Sequence, residues 1–147
     1  MAVHQPEDAI AVLTADHQQV RNLCQHYATA TDPDMQRQIA FQICTVFALH
    51  AQLEETVFYP AFTEMTDEEG KLLVAETLAA HQAIQELMDD LQEADGEFTV
   101  FEARFLGLME AMEAHMATEE NTLFLFAVED LAHQLESLRD EMGKLKQ

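Results

Sequence analysis

The chain carries one histidine and glutamate pattern twice, and few folds can satisfy both copies at once. In the first copy His17 is followed, about nine helical turns on, by His50, with Glu54 and Glu55 four and five positions beyond it. In the second, His81 is followed at nearly the same distance by His115, with Glu119 and Glu120 at the same two steps. A single shift along the chain, constant to within one position, maps the first copy onto the second. Two helix pairs facing each other across a near two-fold axis would show such a repeat. Four histidines and two carboxylates converging from four helices describe a site for two metal ions.

The rest of the sequence supports helices. The 147 residues suit a single domain, 1–147, with a proper core. Hydrophobic content of 48%, with only four glycines and three prolines, favours helices over strands. Pro6 followed by Glu7 and Asp8 suits the first turn of a helix running to about Ala30. Asp32-Pro33 supplies an N-cap and a first-turn proline for a second helix, to about Glu64, which Pro60 should kink. Thr66 with Glu69, and Thr99 with Glu102, read as capping boxes opening helices three and four. Helix three ends near Ala94-Asp95-Gly96, and a short fifth amphipathic segment begins near Val128. Short connections force neighbouring helices antiparallel. The expected fold is all-α, an antiparallel up-down four-helix bundle with a short C-terminal helical segment.

Apolar residues fall on steps of three and four, the period of a bundle-facing seam. The histidines lie on those seams: Leu13, His17 and Val20 on helix one, and Val46, His50, Glu54, Val57 and Ala61 on helix two. Val74, Thr77, His81 and Ile84 follow on helix three, and Leu108, Met112, His115 and Glu119 on helix four. An ionised glutamate buried without a partner costs several kcal/mol, roughly the stability margin of a small domain. Two on one interior seam need compensation, and bound cations supply it. Residues i and i+4 differ by about 40° around a helix and about 6 Å along it. His50 with Glu54, and His115 with Glu119, can therefore serve one cluster. Imidazole with carboxylate suits iron, manganese or zinc, and two bridging carboxylates in a bundle favour a di-iron or di-manganese pair.

These residues also resemble a known family. LTADHQQV around His17, HAQLEETVFYP from His50, LAAHQAI around His81 and HMATEENTLF from His115 are similar to the hemerythrin-like HHE cation-binding domain, over residues 10 to 127. The resemblance implies two iron ions joined by an oxo or hydroxo bridge inside a four-helix bundle. It implies His17, His50, His81 and His115 as ligands, with Glu54 and Glu119 as bridges. Members bind O₂ reversibly, sense it, or act in nitric-oxide and oxidative stress. Two departures bear on function. Oxygen carriers of the family have a fifth histidine four residues before the one matching His81, where this chain has Thr77. They also space the last acid five residues after its histidine; the internal repeat here selects Glu119, at four, over Glu120. A centre lacking the fifth imidazole keeps a position open on each ion, which suits redox chemistry better than O₂ carriage.

Other residues read more plainly. Ferritin-type bundles place a glutamate three residues before a ligand histidine; here those positions hold Thr14, Phe47, Leu78 and Met112, which excludes that class. His4, His26 and His133 read as surface residues, and Tyr27 as core. Glu55 and Glu120 lie off the seam and read as solvated, within reach of a hydrogen bond to a ligand. Tyr59 reaches the cluster only if the backbone is bent at Pro60. Cys24 reads as a reduced, buried thiol, while Cys44 lies off the His50 face, and neither belongs to a CxxC pair. A net charge of −21 disfavours nucleic acids and anionic membranes, and no run of about 18 apolar residues marks a span. A cytoplasmic protein is expected. The functional expectation is a non-haem di-iron protein that binds or senses O₂ or responds to oxidants, with O₂, NO or peroxide as ligand. Its rivals are enzyme-like turnover of peroxide or nitric oxide, iron donation for repair of damaged iron-sulfur clusters, and a metal-free structural bundle.

Overall fold

A computed structural model describes residues 6–94 and 96–146, so the expectations for His4 and Asp95 lie outside it. Four rods form the bundle. The first is α1 (Ala9–Thr29); the second runs through α2 (Pro33–Leu53), a π-helical turn π1 (Glu54–Phe58) and α3 (Tyr59–Met65). The third is α4 (Glu68–Glu93); the fourth runs through α5 (Phe98–Thr118), a second π turn π2 (Glu119–Leu123) and α6 (Phe124–Asp130). A final helix, α7 (Leu135–Lys146), follows a short turn and lies against α1. No strand occurs among the described residues. Links of a few residues make successive rods antiparallel, as expected.

The helix starts differ from the sequence reading. Asp8 caps α1 by accepting from the Ala11 amide, so Pro6 and Glu7 precede the helix. Asp32 does cap α2 with Pro33 in its first turn. The N-cap of α4 is Asp67, which accepts from Gly70, while the Thr66 hydroxyl is buried beside that glycine with no partner among the described residues. Helix α5 starts at Phe98 with Glu97 as a cap lacking any side-chain bond, which leaves Thr99 inside the first turn. The fifth segment begins at Leu135, since α6 continues past Val128 to Asp130.

The two π turns matter most. Each opens on the first glutamate after a ligand-spaced histidine, and in each an amide bonds the carbonyl five residues back: Tyr59 to Glu54, and Phe124 to Glu119. Pro60 accounts for the first, since it lacks an amide and would clash with the carbonyl four residues earlier. The bend expected at Pro60 is thus an inserted residue rather than a loosened end. The second turn has no proline; Leu125 stands at the matching position. One added residue also shifts the seam, so Phe58, Tyr59 and Phe62 are buried and Ala61 is only partly so.

Two apolar clusters flank the middle of the bundle. One contains Val20, Ile43, Phe47, Ile84, Phe101, Phe105 and Met112; the other contains Leu13, Leu53, Phe58, Phe62, Leu123 and Phe124. Tyr27 belongs to the first and stacks on Phe105, as expected of a core residue. Cys44 is also buried there, with its thiol pushed up to about 11 by burial, whereas Cys24 is half-buried; both thiols are free. His26 and His133 are exposed, as read.

Gly70 gives a test of the α3–α4 corner. A Cβ there would overlap the Thr66 hydroxyl and come within 2.7 Å of Thr66 Cβ. Alanine ordinarily gains about 1 kcal/mol over glycine within a helix, but overpacking of this kind costs about 1–3 kcal/mol. Gly70→Ala is therefore expected to lower the Tm in thermal unfolding; a raised Tm would contradict this corner geometry.

Candidate metal centre

All six residues singled out by the repeat meet at one level between the two apolar clusters. His17, His50, His81 and His115 are each at least nine-tenths buried, and Glu54 and Glu119 are wholly so. The rings meet in pairs through their Nε2 atoms, 3.2 Å apart for His17 with His50 and 3.2 Å for His81 with His115. Glu54 Oε1 lies 3.3 Å from His50 Nε2, 2.9 Å from His81 Nε2 and 3.5 Å from His115 Nε2. Glu119 Oε1 lies 3.1 Å from His17 Nε2, 3.6 Å from His50 Nε2 and 3.2 Å from His115 Nε2. Each carboxylate thus touches both pairs. Ligand atoms of His17, His50, Glu54 and Glu119 gather within 4.8 Å of one another, as do those of Glu54, His81 and His115.

The outer nitrogens explain why the inner ones face each other. His17 Nδ1 is 2.7 Å from Glu120, His81 Nδ1 is 2.7 Å from Glu55, and His50 Nδ1 is 3.0 Å from Asp16. A carboxylate accepts only, so each of these rings donates from Nδ1 and, when neutral, turns an Nε2 lone pair inward. Lone pairs this close to one another, and beside two carboxylates, repel unless cations lie among them. Glu54 Oε2 is buried with no hydrogen-bond partner among the described residues. Such a donor set fits two metal ions.

Further groups hold the outer carboxylates. Arg21 bonds Glu120 at 2.8 and 3.0 Å and Glu113 at 3.0 Å from two nitrogens. Lys146, from α7, bonds Asp16 at 3.1 Å. Glu55 is exposed, as read, whereas Glu120 is only partly so, and each bonds a ring nitrogen on a neighbouring rod, the hydrogen bond the sequence placed within reach. Asp16 was missed, although its place next to His17 on an apolar seam was a signal. Lys146 had none, since nothing local links residues 130 apart. Tyr59 is the largest change. Five residues after Glu54 on an α-helix it would point about 140° away. The π turn instead stacks it over Glu54, so its hydroxyl donates to Glu119 Oε2 at 2.7 Å and reaches Glu54 Oε1 at 3.0 Å. It also stands 3.5 Å from His81 Nε2, close to buried Thr77, whose hydroxyl donates to the Val74 carbonyl.

A family model, the hemerythrin HHE cation binding domain, matches residues 8–127. The chain belongs to this family. It is also similar to an uncharacterised hemerythrin-like protein of Schizosaccharomyces pombe, 29% identical over 105 residues, or 71% of this chain. Those residues span 52% of the yeast protein, so the chain covers about half the length of that relative. No solved structure matches the chain.

Within this HHE domain, protons are the alternative to metal cations. Burial pushes His50 toward neutrality, but the Glu54 charge and bonds to Asp16 and Glu119 hold it well above its ordinary 6.5. His115 is likewise lifted against burial by Glu119 and Glu54, to about 9. Burial and Glu119 raise Glu54, yet His50 and His115 bring it below its ordinary value. Burial also opposes ionisation of Glu119, which Glu54 and three ring nitrogens hold well below 4.5. Burial and the charges of Glu54 and Glu119 push the Tyr59 phenol far up, so it keeps its proton.

The pH dependence follows from these directions. The lowered glutamates add stability above their unfolded value of 4.5, lost as pH falls through the folded values. The raised histidines add stability below 6.5, lost as pH rises through the folded values, about 9 for His115. Metal-free protein is therefore expected to melt highest between pH 4.5 and 6.5 and to weaken steadily toward pH 9. Melting curves across that range would check it; a stability that rises from pH 6.5 to 9 would contradict the proton-bridged cluster.

Proposed function

We propose that this domain holds two iron ions between His17 with His50 and His81 with His115, bridged by Glu54 and Glu119. The observation that carries the reading is the set of inward Nε2 lone pairs, three of them fixed by outer carboxylates, around two shared carboxylates. Family membership supports a cation, and the imidazole and carboxylate donors favour iron among the common ones. When bound, the pair would supply a redox-active centre with exchangeable positions for O₂, NO or peroxide.

The protein's own groups favour reaction with oxidants over O₂ carriage. Thr77 offers no imidazole, and its hydroxyl is committed to the Val74 carbonyl. Tyr59 presents a protonated phenol to both bridging carboxylates from a buried position. It can hold a carboxylate in place and donate a hydrogen bond to a small polar ligand beside His81. Phe47 and Phe124 pack on the rings and cover those faces of the cluster with apolar surface. The proposed role is therefore the sensing or consumption of a small oxidant.

Metal analysis tests the ligand set. The purified protein is expected to hold about two irons per chain, and His50→Ala, His115→Ala, Glu54→Ala or Glu119→Ala to lose most of it. Glu55→Ala and Glu120→Ala should keep the metal with affinity weakened about 10–100-fold, since they act through a ring nitrogen. Full iron content in Glu54→Ala and Glu119→Ala would overturn the assignment, and loss confined to Glu120→Ala would move the bridge to that residue.

Tyr59 gives the functional test. Reduced, iron-loaded protein mixed with O₂ is expected to pass to the oxidised state without reversible uptake, with Tyr59→Phe holding equal iron but reacting at a changed rate. Stopped-flow absorbance would check both; reversible O₂ uptake by the unaltered chain would restore a carrier role.

A further inference from the structure

The two halves of the centre are unequal in a way the repeat makes explicit. The offset that pairs His17 with His81 and Glu120 with Glu55 also pairs Arg21 with Gln85 and Glu113 with Ala48. On the α1 and α5 side, Arg21 spans Glu113 and Glu120, and Glu120 in turn bonds the outer nitrogen of His17. On the α2 and α4 side that clamp is absent. Gln85 turns to Asp89 on its own helix, and Ala48 has no polar group to offer. Glu55 is left 49% exposed, and among the described residues His81 is its one ion-pair partner.

An opening follows from the missing clamp. A cavity of about 500 Å³ lies between α2 and α4, lined by Phe47, Ala48, Glu55, Gln82, Gln85 and His81. It leads from solvent to the Glu55–His81 contact. The imidazole pair that the groove reaches, His81 with His115, is also the less supported one: His115 Nδ1 has no partner among the described residues, whereas His50 Nδ1, in the other pair, has Asp16 backed by Lys146.

We propose that divalent iron reaches the centre through this groove, with Glu55 as the first carboxylate it meets, and that Arg21 closes the opposite side. The inference rests on the iron-binding reading above. A cation leaving water needs oxygen partners along its path. The groove offers the Glu55 carboxylate and the carboxamides of Gln82 and Gln85, while on the other side Arg21 already engages the Glu113 and Glu120 carboxylates and stands between them. The net charge of −21 attracts cations to the whole surface and selects neither side; the Arg21 clamp does. A smaller cleft of about 170 Å³ beside His115, lined by alanines with Glu76, Thr77 and Thr118, is the competing route.

The test transplants the clamp. Gln85→Arg with Ala48→Glu changes two exposed residues outside the cluster and rebuilds the Arg21–Glu113 bridge across the open groove. Metal-free protein is mixed with Fe²⁺ under nitrogen, quenched with a chelator at set times, and assayed for retained iron. The double variant leaves the net charge unchanged and is expected to load more slowly, on the order of tenfold, because the bridge spans the groove and sets a guanidinium beside Glu55 on the cation's path, while reaching the same final iron content. The reciprocal Arg21→Gln with Glu113→Ala is expected to load faster than the unaltered chain. Unchanged loading in Gln85→Arg with Ala48→Glu would overturn the route and leave the cleft beside His115. Failure of the unaltered chain to retain iron at the end point would instead sink the metal centre itself, a result distinct from a changed rate.

Discussion

Two carboxylates buried side by side in an apolar bundle are the constraint on which this structure depends. Glu54 and Glu119 have no exposed surface, and apolar clusters close over them from both ends of the rods. Nothing in such an interior tolerates two uncompensated negative charges. The four histidines answer that requirement, and everything around them serves their orientation. Asp16, Glu55 and Glu120 hold outer nitrogens, Lys146 and Arg21 hold two of those acids, and Tyr59 closes over the Glu54 and Glu119 oxygens. The terminal helix α7 is part of this arrangement, since it carries the lysine that anchors Asp16.

The π turns connect the fold to the chemistry. In both long rods the regular helix is interrupted at the glutamate four residues after a histidine. A π turn in mid-helix is rare and occurs frequently at functional sites. Here it brings residues i and i+5 onto one face, which sets Tyr59 above Glu54 and Phe124 beside His17. The same insertion turns Glu55 and Glu120 toward rings on neighbouring rods. A straight helix would keep the six inner residues and lose the outer support.

The sequence carried the fold because the ordinary α-helical period survives across most of each rod. The four rods, their antiparallel order and the six converging residues were legible from His17, His50, His81, His115 and the acids at i+4. What escaped depends on departures from that period or on distant partners. Tyr59 and Phe62 are buried where an unbroken helix places Ala61. Thr66 and Thr99 have the spacing of capping boxes, but Asp67 lies one residue nearer its helix and Glu97 precedes the other. Lys146 reaches Asp16 only through tertiary packing. The unequal halves were written in the repeat as Arg21 against Gln85, yet they acquire meaning only once the groove is seen.

The central claim is that the buried acids and imidazoles form one shared site for two cations. Crystals of the iron-loaded protein measured at the iron absorption edge test it most directly. The account predicts two anomalous peaks per chain, one against His17 and His50 and the other against His81 and His115, with Glu54 and Glu119 between them. A single peak, or peaks outside this cluster, would contradict it.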